Sequence, residues 1–170
     1  MNPIATHHEH QFTNLLDQIL PDASIAVLRG DVSKFDANRS FRRTGKGVYD
    51  MDDLRFRTQK MLEFAQAIRD QNDGREIYAL SYSYGASILA SMLFDDPRLF
   101  ERAALMHPLI SNTPNPRPVL SSKRILITAG QHGPISPLKL SRSVVGWLQA
   151  QGANVEAFIA PADMKSVLLN

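Results

Sequence analysis

Glu76-Ile-Tyr-Ala-Leu-Ser-Tyr-Ser83-Tyr-Gly-Ala-Ser-Ile-Leu-Ala-Ser-Met-Leu-Phe94 is the stretch that decides how this chain folds. Residues 76–80 form a short apolar run after the breaker Asn72-Asp-Gly74, which predicts a buried strand. Residues 86–94 are small and apolar and predict a helix, stopped by Asp95-Asp-Pro97. Between them lies only Ser81-Tyr-Ser83-Tyr-Gly85. The chain must therefore reverse from strand to helix almost without a loop. The small residues Ser81 and Gly85 flank the reversal, and Ala86 lets the helix approach the strand closely.

Outward from this stretch, strands and helices alternate. Upstream, Leu54, Thr58, Met61, Ala65 and Ile68 keep helical spacing, with Asp50 as a cap and Asp52 and Asp53 in the first turn. Further upstream, Ile25-Ala-Val-Leu28 reads as a buried strand, and Phe12, Leu15, Leu16 and Ile19 as one helix face stopped by Pro21. Residues 30–49 have no steady period and read as a long loop. Downstream, Ala103-Ala-Leu-Met106, Arg124 to Ala129 and Val155 to Ala160 read as strands. Leu140, Val144, Trp147 and Leu148 mark a helix ending near Gly152, with Trp147 expected in the core. This order predicts a single α/β domain over residues 1–170. The expected architecture is a three-layer α/β/α sandwich around a mostly parallel sheet of about five strands. Ligands of such sheets lie at the carboxyl ends of the strands, so the loops after residues 28, 80, 106 and 129 are expected to line a site.

Ser83 sits where that expectation meets the sharp turn. A strand–Ser–helix reversal with small flanking residues is the setting of a nucleophile elbow, in which a strained backbone projects a serine hydroxyl above the sheet. The helix N-terminus lies beside it, and the Tyr84 backbone N–H is then placed as an oxyanion donor. The competing reading is that Ser81 and Ser83 merely cap the helix.

Composition narrows the remaining classes. The chain has 170 residues, 44% hydrophobic and 21% charged, as expected of one globular core. With no cysteine, disulfides and thiolate chemistry are excluded. No apolar run is long enough to span a bilayer and no secretory signal is visible, so a cytoplasmic protein without membrane association is expected. The net charge is +2. Arg29, Lys34, Arg39, Arg42, Arg43 and Lys46 concentrate charge in one stretch, read as a solvated loop because Phe41 alone gives no stacking platform. Neither nucleic acid nor nucleotide is expected as a partner, since no phosphate-cradling glycine motif occurs. His7-His-Glu-His10 reads as the outer face of a helix start and not as a metal site.

Four stretches resemble the phospholipase/carboxylesterase group of α/β-hydrolases, the small esterases related to acyl-protein thioesterases. They are Arg29 to Val32 with Phe41-Arg-Arg43, Gly47-Val-Tyr-Asp50 and Asp53-Leu54; Tyr78 to Ala86; Ala104 to Leu109; and Ile127 to Gly130 with Pro134-Ile135 and Pro137. The resemblance implies an α/β-hydrolase fold. It also implies a small-molecule ester substrate, an acyl-serine intermediate on Ser83, and no metal or organic cofactor. It departs from the pattern at three places. Gly133 stands at the slot of the triad aspartate, Met164 at the slot of the triad histidine, and residues 3–8 are too few for the family's N-terminal strand and glycine loop. His107 and His132 end strands on the same side and are possible site-lining residues. The fold is thus expected to be truncated at its N-terminal strand. Three readings follow: an esterase using Ser83, weakened or lost in activity; a non-catalytic domain binding a ligand or partner chain; and a fragment of a longer esterase. An open sheet also leads us to expect homo-oligomers.

Overall fold

The computed structural model describes residues 7–28, 32–34, 37–39, 41–45, 48–110, 120–131 and 137–161, with only the backbone at 7–12, 32–34, 37–39 and 43. Helix α1 (His7–Ile19) is followed by two small antiparallel pairs, β1 (Val32–Lys34) with β2 (Ala37–Arg39) and β3 (Arg43–Gly45) with β4 (Val48–Tyr49). Then come α2 (Met51–Gln71), β5 (Tyr78–Tyr82), α3 (Tyr84–Asp95), β6 (Arg102–Met106), β7 (Arg124–Gly130), α4 (Leu138–Ala150) and β8 (Asn154–Ala160). Strands β5 to β8 form a parallel sheet in sequence order. This is the parallel α/β arrangement that the alternation of elements predicts, and it agrees with the fold that the resemblance implies.

Helix α2 begins where the cap chemistry places it. Asp50 accepts from the Asp53 N–H at 3.1 Å, and the helix ends at Asn72, with Gly74 at φ 69° donating to the Arg69 carbonyl. Helices α2, α3 and α4 share one core with the sheet face that carries Ala103, Leu105, Ile125 and Ile127. Phe94 of α3 meets Trp147 of α4 edge-on at 4.9 Å, so both helices lie on that face. On the opposite face, burial falls from Met106 and Thr128 in the middle to exposed Tyr78 and Phe158 at the two edges.

Three sequence expectations are corrected. Residues 25–28 are not a strand, and Val27 and Leu28 are exposed. A short apolar run becomes a strand only where a neighbouring backbone takes its N–H and C=O groups, and among the described residues β5 is bonded to β6 alone. The parallel sheet accordingly has four described strands. Residues 30–49 also hold the two short hairpins, whose two- and three-residue strands are too brief to show alternation. In α1, Leu15 and Ile19 are exposed although their spacing predicts burial.

The basic stretch is partly structural. Phe41 is fully buried in a second small core with Tyr49, Leu54, Ile88 and Leu109, packed edge-on against Tyr49 at 4.6 Å. Beside it Asp53, only 5% exposed, accepts from the Arg42 N–H at 2.6 Å and faces the guanidinium groups of Arg42 at 3.3 Å and Arg57 at 3.4 Å. Burial pushes the Asp53 carboxyl upward. The Arg42 N–H, the Arg57 hydrogen bond and the two cations outweigh it and hold the group below the ordinary carboxylate value. A depressed carboxylate stabilises the fold above its unfolded value and loses that contribution as pH falls through the folded value. Asp53→Asn is expected to lower stability by about 2 kcal/mol at pH 7, less than for a fully buried pair because Arg42 stays solvated. The gap to the native chain narrows below about pH 4, in urea unfolding followed against pH. A constant gap down to pH 2.5 would show that the Asp53 charge is not what pins this loop.

Candidate active site

Strand β5 ends at Tyr82 and α3 starts at Tyr84, leaving Ser83 as the whole connection. Its backbone is at φ 55°, ψ −118°, a conformation that a residue with a β-carbon adopts only under constraint. Bonds on both sides supply the constraint. The Ser83 N–H donates to the Met106 carbonyl at 2.8 Å, and its carbonyl accepts the Ser87 N–H at 3.1 Å, the first helical bond of α3. The Ser83 hydroxyl makes no capping bond to the helix. That removes the capping alternative for Ser83: the side chain is not used to satisfy the helix start. Tyr84 is the first residue of α3, so the positive end of the helix lies at Ser83.

The next strand repeats the arrangement. His107 follows β6 directly, has φ 56°, and donates its N–H to the Thr128 carbonyl at 2.8 Å. Gln131, following β7, donates to the Ala160 carbonyl at 2.9 Å. Ser83, His107 and Gln131 thus occupy equivalent positions on one carboxyl edge of the sheet. Only three described non-glycine residues have positive φ, and two of them are Ser83 and His107 on adjacent strand ends. The His107 ring lies 6.3 Å from the Tyr82 ring, and Pro108 behind it is fully buried. The strain at His107 was not foreseen. No signal in the sequence marks it, since proline ordinarily drives the preceding residue to an extended conformation, the opposite of what His107 adopts.

His132, Gly133 and Met164 lie outside the described residues. The sheet brings Ser83 and His107 to the same edge, and no base for Ser83 is assigned from the geometry. Among the described residues no group of histidines and carboxylates is arranged to hold a metal ion. The side chains of His7 to His10 are not among those described.

Support beneath the turn comes from residues that sequence reading passed over. Ser87, one turn into α3, is within 3.3 Å of the Ser83 carbonyl and 3.0 Å of the Leu109 carbonyl, and its Oγ accepts the Leu109 N–H at 3.2 Å. The Tyr49 hydroxyl donates to the Leu109 carbonyl at 2.7 Å and lies 3.0 Å from Ser87 Oγ. This buried network ties β4, the start of α3 and the segment after His107 into one unit. Tyr49 and Tyr84 also share the core that holds Phe41. Burial pushes the Tyr49 hydroxyl up to about 12, with the Ser87 bond opposing it. The neutral hydroxyl favours folding below pH 10, and that advantage is lost as pH rises from 10 to about 12. Tyr49→Phe is expected to cost about 1 kcal/mol at pH 7, as for one buried hydrogen bond, and to remove the loss of stability between pH 10 and about 12. Thermal melts of both proteins across that range check it, and parallel decline of the two would refute it.

No protein-family profile matches the chain. It is 32% identical over 154 residues to MhqD of Bacillus subtilis (strain 168), a protein with a provisional hydrolase name, covering 89% of this chain and 76% of that one. The crystal structure of Atu2452 from Agrobacterium tumefaciens str. C58, a protein of unknown function, superposes with a TM-score of 0.85 at 41% identity, over 94% of this chain and 82% of that chain. A carboxylesterase of Bacillus cereus superposes with a TM-score of 0.80 at 29% identity, over 95% and 79%. These relatives and the strand–Ser83–helix geometry agree: the chain belongs to the α/β-hydrolase superfamily, within its phospholipase/carboxylesterase group.

Proposed function

We propose that the protein hydrolyses small carboxylic esters through an acyl intermediate on Ser83. The observation that carries this reading is the Ser83 backbone at φ 55°, held from both sides while its hydroxyl is left unused as a cap. Strain at a residue whose side chain does not cap its helix is a feature of reactive groups. Relatives named hydrolase and carboxylesterase support the same class.

In this mechanism Ser83 Oγ attacks the ester carbonyl carbon and passes its proton to a base. The carbonyl oxygen takes up negative charge beside the Tyr84 N–H at the N-terminus of α3. The carbon–oxygen bond to the alcohol breaks, the alcohol leaves with a proton, and water then releases the acid from Ser83. His107 and His132 are the candidates for the base. With Gly133 and Met164 at the two triad slots, turnover is expected to be slow beside a complete triad. Losing triad members elsewhere leaves roughly 10³–10⁴-fold catalysis over water.

A non-catalytic domain is the second reading, favoured by the same two slots. A fluorophosphonate probe read by intact mass separates them. Native protein is expected to gain one adduct and Ser83→Ala none, with ester turnover falling to background in the variant. His107→Gln is expected to slow labelling by about tenfold or more if His107 is the base. A folded native chain that takes no label supports the binding reading instead. Among the described residues β5 has an unpaired edge, which also leads us to propose self-association. Sedimentation is expected to show a dimer or larger species at micromolar concentration, and a clean monomer counts against it.

A further inference from the structure

On the far side of the sheet from Ser83, α4 does not close fully against β8. A cleft of about 160 Å³ separates them, walled by Leu138 and Val145 of α4 and by Ile127, Ala129, Ala157 and Ile159 of the sheet. Its sheet wall belongs to β7 and β8, two and three strand spacings or roughly 10–14 Å from β5, so this cleft is distinct from the Ser83 turn.

Three details of its lining do not serve the packing of α4. Ser141 is only 3% exposed, and its Oγ has no hydrogen-bond partner among the described residues, although a buried hydroxyl without one destabilises the fold. Gly146 lies inside α4, where glycine is unfavourable relative to alanine, yet a β-carbon placed there would meet nothing within 4 Å. Among the described lining residues Arg142 is the one charged group, and no carboxylate accompanies it.

We infer that this cleft binds a small monocarboxylate with a compact apolar body of about the size of benzoate. The size follows from the volume, since a protein cavity of about 150 Å³ accommodates benzene. The charge follows from Arg142, whose guanidinium recognises carboxylates, with the Ser141 hydroxyl and the Gln149 amide as further donors. Gly146 keeps the space beside the ring open.

Benzoate itself is the probe, titrated against full-length protein while the methyl resonances of Val145, Ile127 and Ile159 are followed by NMR. Saturable shifts are expected with Kd on the order of 1 mM, ordinary for so few atoms. Gly146→Leu fills the cleft and raises helix propensity, so it is expected to melt no lower than the native chain and to bind at least about tenfold more weakly. Arg142→Met is expected to weaken benzoate by about tenfold while leaving neutral benzyl alcohol unchanged. Ser141→Ala is expected to raise Tm yet weaken benzoate, a combination that a purely structural hydroxyl would not give. Absence of shifts at these methyls, or equal affinity in native protein and Gly146→Leu, overturns the proposal.

Discussion

Everything at the carboxyl edge of this sheet depends on one backbone reversal. Ser83 must pass the chain from β5 to α3 in a single residue, and its φ of 55° is the geometric consequence. Such a conformation costs of order 1–3 kcal/mol and persists only where its surroundings over-determine it. Here one side is fixed by a sheet bond to Met106 and the other by the first bond of a helix whose interior is almost wholly buried. Ala86 and Ala90, both fully buried, let that helix sit close enough to the strands to hold the turn. The small residues around Ser83 are therefore a packing requirement first, and a chemical opportunity second.

The neighbouring strained residue, His107, is held on its sheet side in the same way and on the other side by different means. Its backbone is anchored by the Thr128 carbonyl, and the segment behind it by Tyr49 and Ser87 through the Leu109 peptide. Tyr49 belongs to β4, in a part of the chain far from the sheet in sequence. Its position rests on Phe41, and the start of that segment rests on the Asp53 carboxylate between Arg42 and Arg57. A chain of contacts thus runs from a charged cluster at the surface, through an aromatic core, to the two strained residues at the site.

The fold was legible because its signals are local and long. The strand–Ser83–helix stretch, the Asp50 cap and the helical spacing from Leu54 to Ile68 all appear as read. The segment at Ile25 to Leu28 misled because strand formation is a property of a pair, and one run cannot show whether a partner backbone stands beside it. Phe41 misled for a related reason. Amid arginines it looks like a solvated loop residue, and only Tyr49 and Tyr84, brought from distant positions, bury it. The role of Ser87 was likewise hidden, since a serine in a small-residue helix reads as filler until the Leu109 peptide is seen against it. At the site, the position of Ser83 was legible and the identity of its base was not. A base is defined by distance to the hydroxyl, and no spacing in the sequence encodes that distance.

The same logic explains why the two ends of the sheet differ. At the β5 side, strain is concentrated and the Ser83 N–H and carbonyl are both engaged, which fixes the turn as a site for bond-making chemistry requires. At the β8 side Phe158 and Ile159 remain exposed, and among the described residues a buried hydroxyl goes unanswered. A sheet that packs three helices on one face has its densest core where those helices meet, around Leu89, Leu93, Leu105 and Ile127. Away from that centre, close packing no longer dictates each side chain. Ser141 and Gly146 lie along that margin of α4, where a residue is free to answer to something other than the core.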